Sequence, residues 1–187
     1  MSVVFTTISD KFIAICADKS RPVPIIEKWA PHIAVGMSGD LTMGEYVRSS
    51  VHQFVTESGI SNFGPEEIAD LLVQTCNSYG EESRTETKFI IAGKLSDKNL
   101  GAVVIRASGG AVDTEIFRAA NMPATLILEP SDLSVDRCNM LFGKALKNVE
   151  GKFLKNPLES IHRRAVRNVS EHSNLTSKEA DYILIIP

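Results

Sequence analysis

Val3 to Thr7 and Phe12 to Ala17 read as two β-strands joined by the polar turn Ser9-Asp10-Lys11. Both are rich in β-branched and aromatic residues, which favour a pleated, packed surface. Neither strand has a polar face, since Val3-Val4-Phe5 and Ile13-Ala14-Ile15 are apolar on both sides. A hairpin of this kind needs cover on both faces. Its sheet is therefore expected inside a layered sandwich.

The rest of the chain supplies that cover. His32 to Met37 reads as a strand, preceded by an extended segment from Ile25 to Trp29. Asp40 is a good N-cap for a helix with Met43, Tyr46, Val47, Val51, Phe54 and Val55 at helical spacing, ended by Gly59. Pro65-Glu66-Glu67 opens a second helix, with proline in the first turn and acids where the helix dipole favours them. Gly80 to Thr87 is polar and charged, and reads as a solvated linker or an entrance loop. Lys88 to Leu95 and Ala102 to Ala107 form a second hairpin, and Val112 to Ala119 and Ala124 to Leu128 read as further strands. Ser134 caps a helix carrying Val135, Cys138, Leu141, Phe142, Ala145 and Leu146. Asn156-Pro157 starts another, and Tyr182 to Ile186 reads as a buried closing strand. Strands, two helices, strands, two helices, strand imply an α+β fold, a four-layer αββα sandwich in one domain over residues 1–187.

Two polar residues frame the first hairpin, Ser2 before it and Asp18 at its end. An antiparallel return brings both to the same end of the sheet. Removal of Met1 would leave Ser2 with a free α-amino group titrating near ~8, able to act as a general base for its own hydroxyl. That is the logic of an N-terminal nucleophile hydrolase. The plain alternative is a serine that follows Met because small second residues favour Met removal.

Three motifs carry a family resemblance. Ala17-Asp18-Lys19 follows a strand, sixteen residues after Ser2 (18 − 2 = 16). His32-Ile-Ala-Val-Gly-Met-Ser-Gly-Asp40 is a strand ending in a Ser-Gly turn, and Phe89-Ile-Ile-Ala-Gly-Lys94 leads to a strand ending at Gly109-Gly110. Together they resemble proteasome β-subunits and their bacterial peptidase relatives. The resemblance implies the N-terminal nucleophile hydrolase version of the sandwich and a threonine- or serine-type endopeptidase without a cofactor. Ser2 would be the nucleophile and Asp18 would orient a neighbouring ammonium. Lys28 would be the cation lowering the nucleophile's pKa, with Lys19 as a weaker substitute, and Gly39 would offer its N–H to the oxyanion. It further implies self-association into rings or another homo-oligomer, and a peptide or unfolded-protein substrate.

Each residue also has a plain reading. Asp18 can cap a strand end beside Lys19 or Arg21, Lys28 can be a surface lysine beside Trp29, and Gly39 can serve the turn alone. Thr6-Thr7-Ile8 is a rival start, but only twelve residues separate Thr6 from Asp18, too few for the strand to return. The segment that carries the family's lysine is shorter here. After the Phe117 strand, where the family has a Gly-Ser-Gly turn, this chain has Ala119-Ala-Asn-Met122 without a hydroxyl. A late supporting aspartate has no counterpart in Arg163 to Ser173. These departures leave a catalytically inactive scaffold or assembly subunit as the alternative, with a small amidase acting on a non-peptide amide as a third option.

Composition narrows the remaining classes. A net charge of −3 gives no reason to expect nucleic acid, and no run of eighteen apolar residues or basic-then-apolar leader points to a membrane. Cys16, Cys76 and Cys138 are scattered and odd in number, which fits free thiols in a reducing, cytoplasmic setting rather than disulfides or zinc. The four histidines lack metal-ligand or triad spacing and read as structural or surface residues.

Overall fold

The computed structural model describes residues 2–19, 23–79, 86–149 and 156–186. Within them the chain is mixed α+β, with two antiparallel sheets and four α-helices. The first hairpin forms as β1 (Val4–Ile8) and β2 (Ile13–Asp18), with every residue of both strands buried. Its turn is held by Ser9, whose hydroxyl accepts from Lys11 N and Phe12 N at 3.2 and 3.1 Å. Next come β3 (Ile26–Ala30), β4 (Ile33–Gly39), α1 (Leu41–Glu57), α2 (Pro65–Tyr79), β5 (Thr87–Lys94), β6 (Leu100–Ser108) and β7 (Ala111–Arg118). The remaining elements are β8 (Ala124–Leu128), α3 (Val135–Val149), α4 (Pro157–Ser170) and β9 (Ala180–Ile185).

Strand order is β8-β1-β2-β9 in one sheet and β3-β4-β5-β6-β7 in the other. Helices α1 and α2 pack on the five-stranded sheet, α3 and α4 on the four-stranded one, and β1 and β2 face β3, β4 and β6. Two cores result. Val4, Ile13 and Ile15 join the five-stranded sheet and the α1/α2 pair in the larger one, while Val3, Phe5 and Cys16 join α3 and α4 in the smaller. This split follows from the period-2 alternation of a strand, and it explains why neither face of β1 is polar. Gly36 on β4 sets the sheet separation, because a Cβ there would lie 3.3 Å from Val4 Cγ1 and 3.0 Å from Ile90 Cγ2.

The capping residues act as their sequence suggests. Asp40 accepts from Thr42 N and Met43 N at the start of α1, and Glu67 accepts from Gly64 N at the start of α2. The closing strand departs from expectation. It was expected to be buried, yet β9 is an edge strand in which only Ile185 is fully buried, with Leu184 exposed. Val135 and Leu146 on α3 are likewise exposed. Of the expected polar stretch from Gly80 to Thr87, residues 80–85 lie outside the described ones, and Thr87 is a buried residue of β5. Among the described residues no helix is long and apolar enough to cross a membrane.

Candidate functional site at the Ser2 end of the first hairpin

The register of β1 and β2 places Val4 opposite Ala17, so the next step brings Val3 to Asp18. Val3 N donates to Asp18 Oδ1 at 2.7 Å, and Asp18 N donates to Val3 O at 3.3 Å. On its other side Asp18 is paired with Ala180 of β9, and its Oδ2 accepts from Ser177 N at 3.1 Å. One carboxylate therefore joins the start of the first strand to the loop before the last. Burial pushes its pKa up to about 6, against the lowering effect of the N–H groups of Ser177 and Val3. At neutral pH it is ionised.

Ser2 is 0% exposed and its hydroxyl has no hydrogen-bond partner. The hydroxyl is near enough to Asp18 to lower its pKa slightly, but the pair lacks hydrogen-bond geometry. A buried hydroxyl left unpaired costs about 1–3 kcal/mol, so its persistence calls for an explanation. The Ser2 carbonyl is satisfied, accepting from Ser38 Oγ at the end of β4. Ser38 Oγ also lies 3.2 Å from the carbonyl of Glu129, just past β8. Ser38 thus ties the two sheets together where Ser2 enters.

Gly39 follows with φ +93°, and a Cβ there would stand 2.0 Å from the carbonyl oxygen of Glu86. Asp40 N donates to the same carbonyl at 3.1 Å. Only glycine fits this turn, so the plain structural requirement for Gly39 holds whatever else its N–H does.

Lys28 is not brought to this cluster. It is exposed on β3 and pairs with Ala34, four residues and roughly 13 Å along β4 from Ser38. It makes no ion pair among the described residues. Lys19 is exposed as well, with its backbone N–H bonded to Glu179 O at 2.8 Å. The buried cation at this end is instead Lys88, directly opposite Ser38 on β5. Its Nζ lies 2.6 Å from Glu129 Oε1 and 3.0 Å from Glu86 Oε2. Sequence reasoning passed over Lys88 as the first residue of a strand. It stands at the border between a polar stretch and the apolar run Phe89 to Ala92, so nothing local marked it as buried.

The segment Ala119 to Met122 stands before β8, whose first residue Ala124 pairs with Ile8 at the far end of β1. The stretch reaching the Ser2 end is the opposite terminus of β8, since Val4 pairs with Leu128. The loop from Glu129 to Ser134 lies there, and Asp132 on it accepts from Ser173 Oγ at 2.8 Å and Asn174 N at 3.0 Å. The late groups bonded at this end are therefore Ser173, Asn174 and Ser177, at and beyond the C-terminal limit of the Arg163 to Ser173 stretch. Thr176, beside Ser177, has a buried hydroxyl without a partner. The legible clue was that β8 runs through a turn into a helix, as β4 does at Ser38-Gly39-Asp40.

Thr6, the rival start, sits within β1 between Ile15 and Leu126, with its hydroxyl buried and unpartnered. His162 is fully buried on α4, its Nδ1 2.9 Å from Leu158 O and its Nε2 3.0 Å from Thr7 Oγ1. The three cysteines are buried free thiols whose pKa values burial raises to about 12, 11 and 11 for Cys16, Cys76 and Cys138. Thiols so rarely ionised make poor nucleophiles. No group of three His, Cys, Asp or Glu residues among those described is arranged to hold a metal ion.

The Ser2 end thus joins an unpartnered hydroxyl to an ionised carboxylate, within a frame of Ser38, Gly39 and the Lys88–Glu129 pair. No protein-family model matches the chain, and no curated protein matches it.

Proposed function

We propose that the chain is a peptidase of the N-terminal nucleophile type, similar to proteasome β-subunits, built on their αββα sandwich and active after Met1 is removed. The carrying observation is the fully buried, unpartnered hydroxyl of Ser2 beside the Asp18 carboxylate. An ammonium or amine at Ser2 N would take its environment from Asp18, and that amine would accept the hydroxyl proton as the hydroxyl attacks a peptide carbonyl. The N–H of Gly39 would stabilise the oxyanion, and water would release the acyl group. Self-association into rings and a peptide or unfolded-protein substrate belong to the same proposal.

A second reading has its own support. Ser2 is sealed from solvent and Lys28 lies away from it. Both features suit a non-catalytic scaffold subunit of the same fold. The intact mass of the untagged protein from cells, followed by turnover of short fluorogenic peptides, separates the two. The peptidase reading expects a chain beginning at Ser2 and turnover abolished by Ser2→Ala. Retained Met1, or turnover unchanged in Ser2→Ala, leaves the scaffold.

A further inference from the structure

A pocket of about 320 Å³ lies next to the Asp18 end, lined by Lys19, Arg163, Arg167, Lys178, Glu179 and Ala180. It shares Lys19 and Glu179 with a second pocket of about 370 Å³ that reaches Asp18 and Thr176. The two form adjoining compartments along one wall.

The sign of the first compartment is unusual for a chain of net charge −3. Four cations line it against one carboxylate, Glu179. Arg163 is already engaged, by Glu159 Oε1 at 2.8 Å and by the carbonyl of Ala180. Arg167 follows Arg163 by one helical turn on the same face of α4, where the helix's C-terminal end favours positive charge. Lys19, Arg167 and Lys178 make no ion pair among the described residues. The backbone fixes their convergence, because Lys19 N is bonded to Glu179 O and Asp18 pairs with Ala180 at the head of β9. Like charges held together by the backbone repel, and an anion relieves that repulsion.

We propose that this basic compartment binds a carboxylate side chain of an acidic peptide, delivering the adjoining peptide segment to the Asp18 compartment. This rests on the reading of the Ser2 and Asp18 end as a peptide-cleaving site. Arg163 and Arg167 supply planar donors suited to a carboxylate, and Lys19 and Lys178 supply point charge.

The test uses the full chain carrying Ser2→Ala, so that binding is read without turnover. A fluorescent hexapeptide with two central glutamates is titrated by anisotropy, beside the same peptide with glutamines and with lysines. The glutamate peptide is expected to bind more tightly than the glutamine one, with an affinity that falls as salt rises. Arg167→Ala and Lys178→Ala should each weaken it about two- to fivefold, as expected for exposed charge pairs. Both residues are exposed, and an unchanged melting temperature confirms the fold. Equal affinity for the three peptides, or indifference to both substitutions, overturns the proposal. Inorganic phosphate displacing the peptide at equal or lower concentration would overturn it too, identifying a phosphate site instead. Discrimination for glutamate together with no Ser2-dependent turnover in the unsubstituted protein would uphold the site and remove the peptidase reading beneath it.

Discussion

The two ends of β1 solve the same problem in opposite ways. At the Ile8 end, the Thr7 hydroxyl points towards α4 and is fully used. His162 Nδ1 faces the Leu158 carbonyl and so carries its proton there. Nε2 then accepts from Thr7 Oγ1 at 3.0 Å, and Thr125 Oγ1 completes the chain at 2.8 Å. At the Ser2 end, and at Thr6 on the same inter-sheet face, the hydroxyls are equally buried but have no partner. The Thr7 hydroxyl is satisfied by two side chains, while those of Ser2 and Thr6, on the other face, are left empty. Spent polarity faces α4, and unspent polarity faces the inter-sheet core, at Thr6 and at Ser2 beside Asp18.

The sharpest way to break this contrast is Asp18→Ala. It strips the buried Val3 N and the half-buried Ser177 N of their acceptor, at about 3 kcal/mol. Urea unfolding checks this, and a loss under about 1 kcal/mol would mean that water replaces the carboxylate and the end is not sealed.

The next test is pH, where the two ends have opposite signs. The Asp18 pKa is raised to about 6 from 3.8, so the folded state holds the extra proton. Its contribution is complete below pH 3.8 and is lost as pH rises to about 6, on the order of 3 kcal/mol. Burial lowers the His162 pKa below 6.5, so its contribution is present above 6.5 and is lost as pH falls through the depressed value. In the unsubstituted protein the two trends oppose each other. His162→Gln should expose a stability that rises as pH falls from 6 to 4, and Asp18→Asn should expose the reverse. Parallel pH profiles for the two variants would show that the ends do not differ in this way.

Smaller effects come from the hydroxyls themselves. Thr7→Val leaves His162 Nε2 without its donor and should destabilise by about 2 kcal/mol. Thr6→Val keeps the shape and removes an unpaired polar atom, so it should stabilise by about 1 kcal/mol. Thermal melts of the pair should therefore shift in opposite directions. A loss in both would mean that Thr6 has a partner such as a buried water.

The contrast also marks what was legible in the sequence. The helices and most strands could be read because their signals are local. Asp40 and Glu67 cap, Ser9 turns the hairpin, and apolar residues recur at the right periods. Ser2 and Asp18 could be brought together because a hairpin is local too. Sheet membership was not readable. β7 continues the five-stranded sheet, whereas β8, five residues later, returns to pair with β1. That return carries Glu129 and Asp132, rather than Ala119 to Met122, to the Ser2 end. Lys28 was the cation that the family resemblance implied, but β3 pairs it with Ala34 and leaves it in solvent. Lys88 holds the buried position through cross-strand register with Ser38, which no short-range pattern encodes.

The bond from Ser177 N to Asp18 Oδ2 spans 159 residues of chain. The two edges of the β1–β2 hairpin are paired by residues 124–128 on one side and 180–185 on the other, both far along the chain. Pairing over such sequence separations gives a topology of high contact order, which slows folding. On the ribosome, synthesis at about 5–20 residues per second separates the making of these segments by many seconds. Closing the Ser2 end therefore draws on segments far apart in the chain, β1, β8 and the loop before β9.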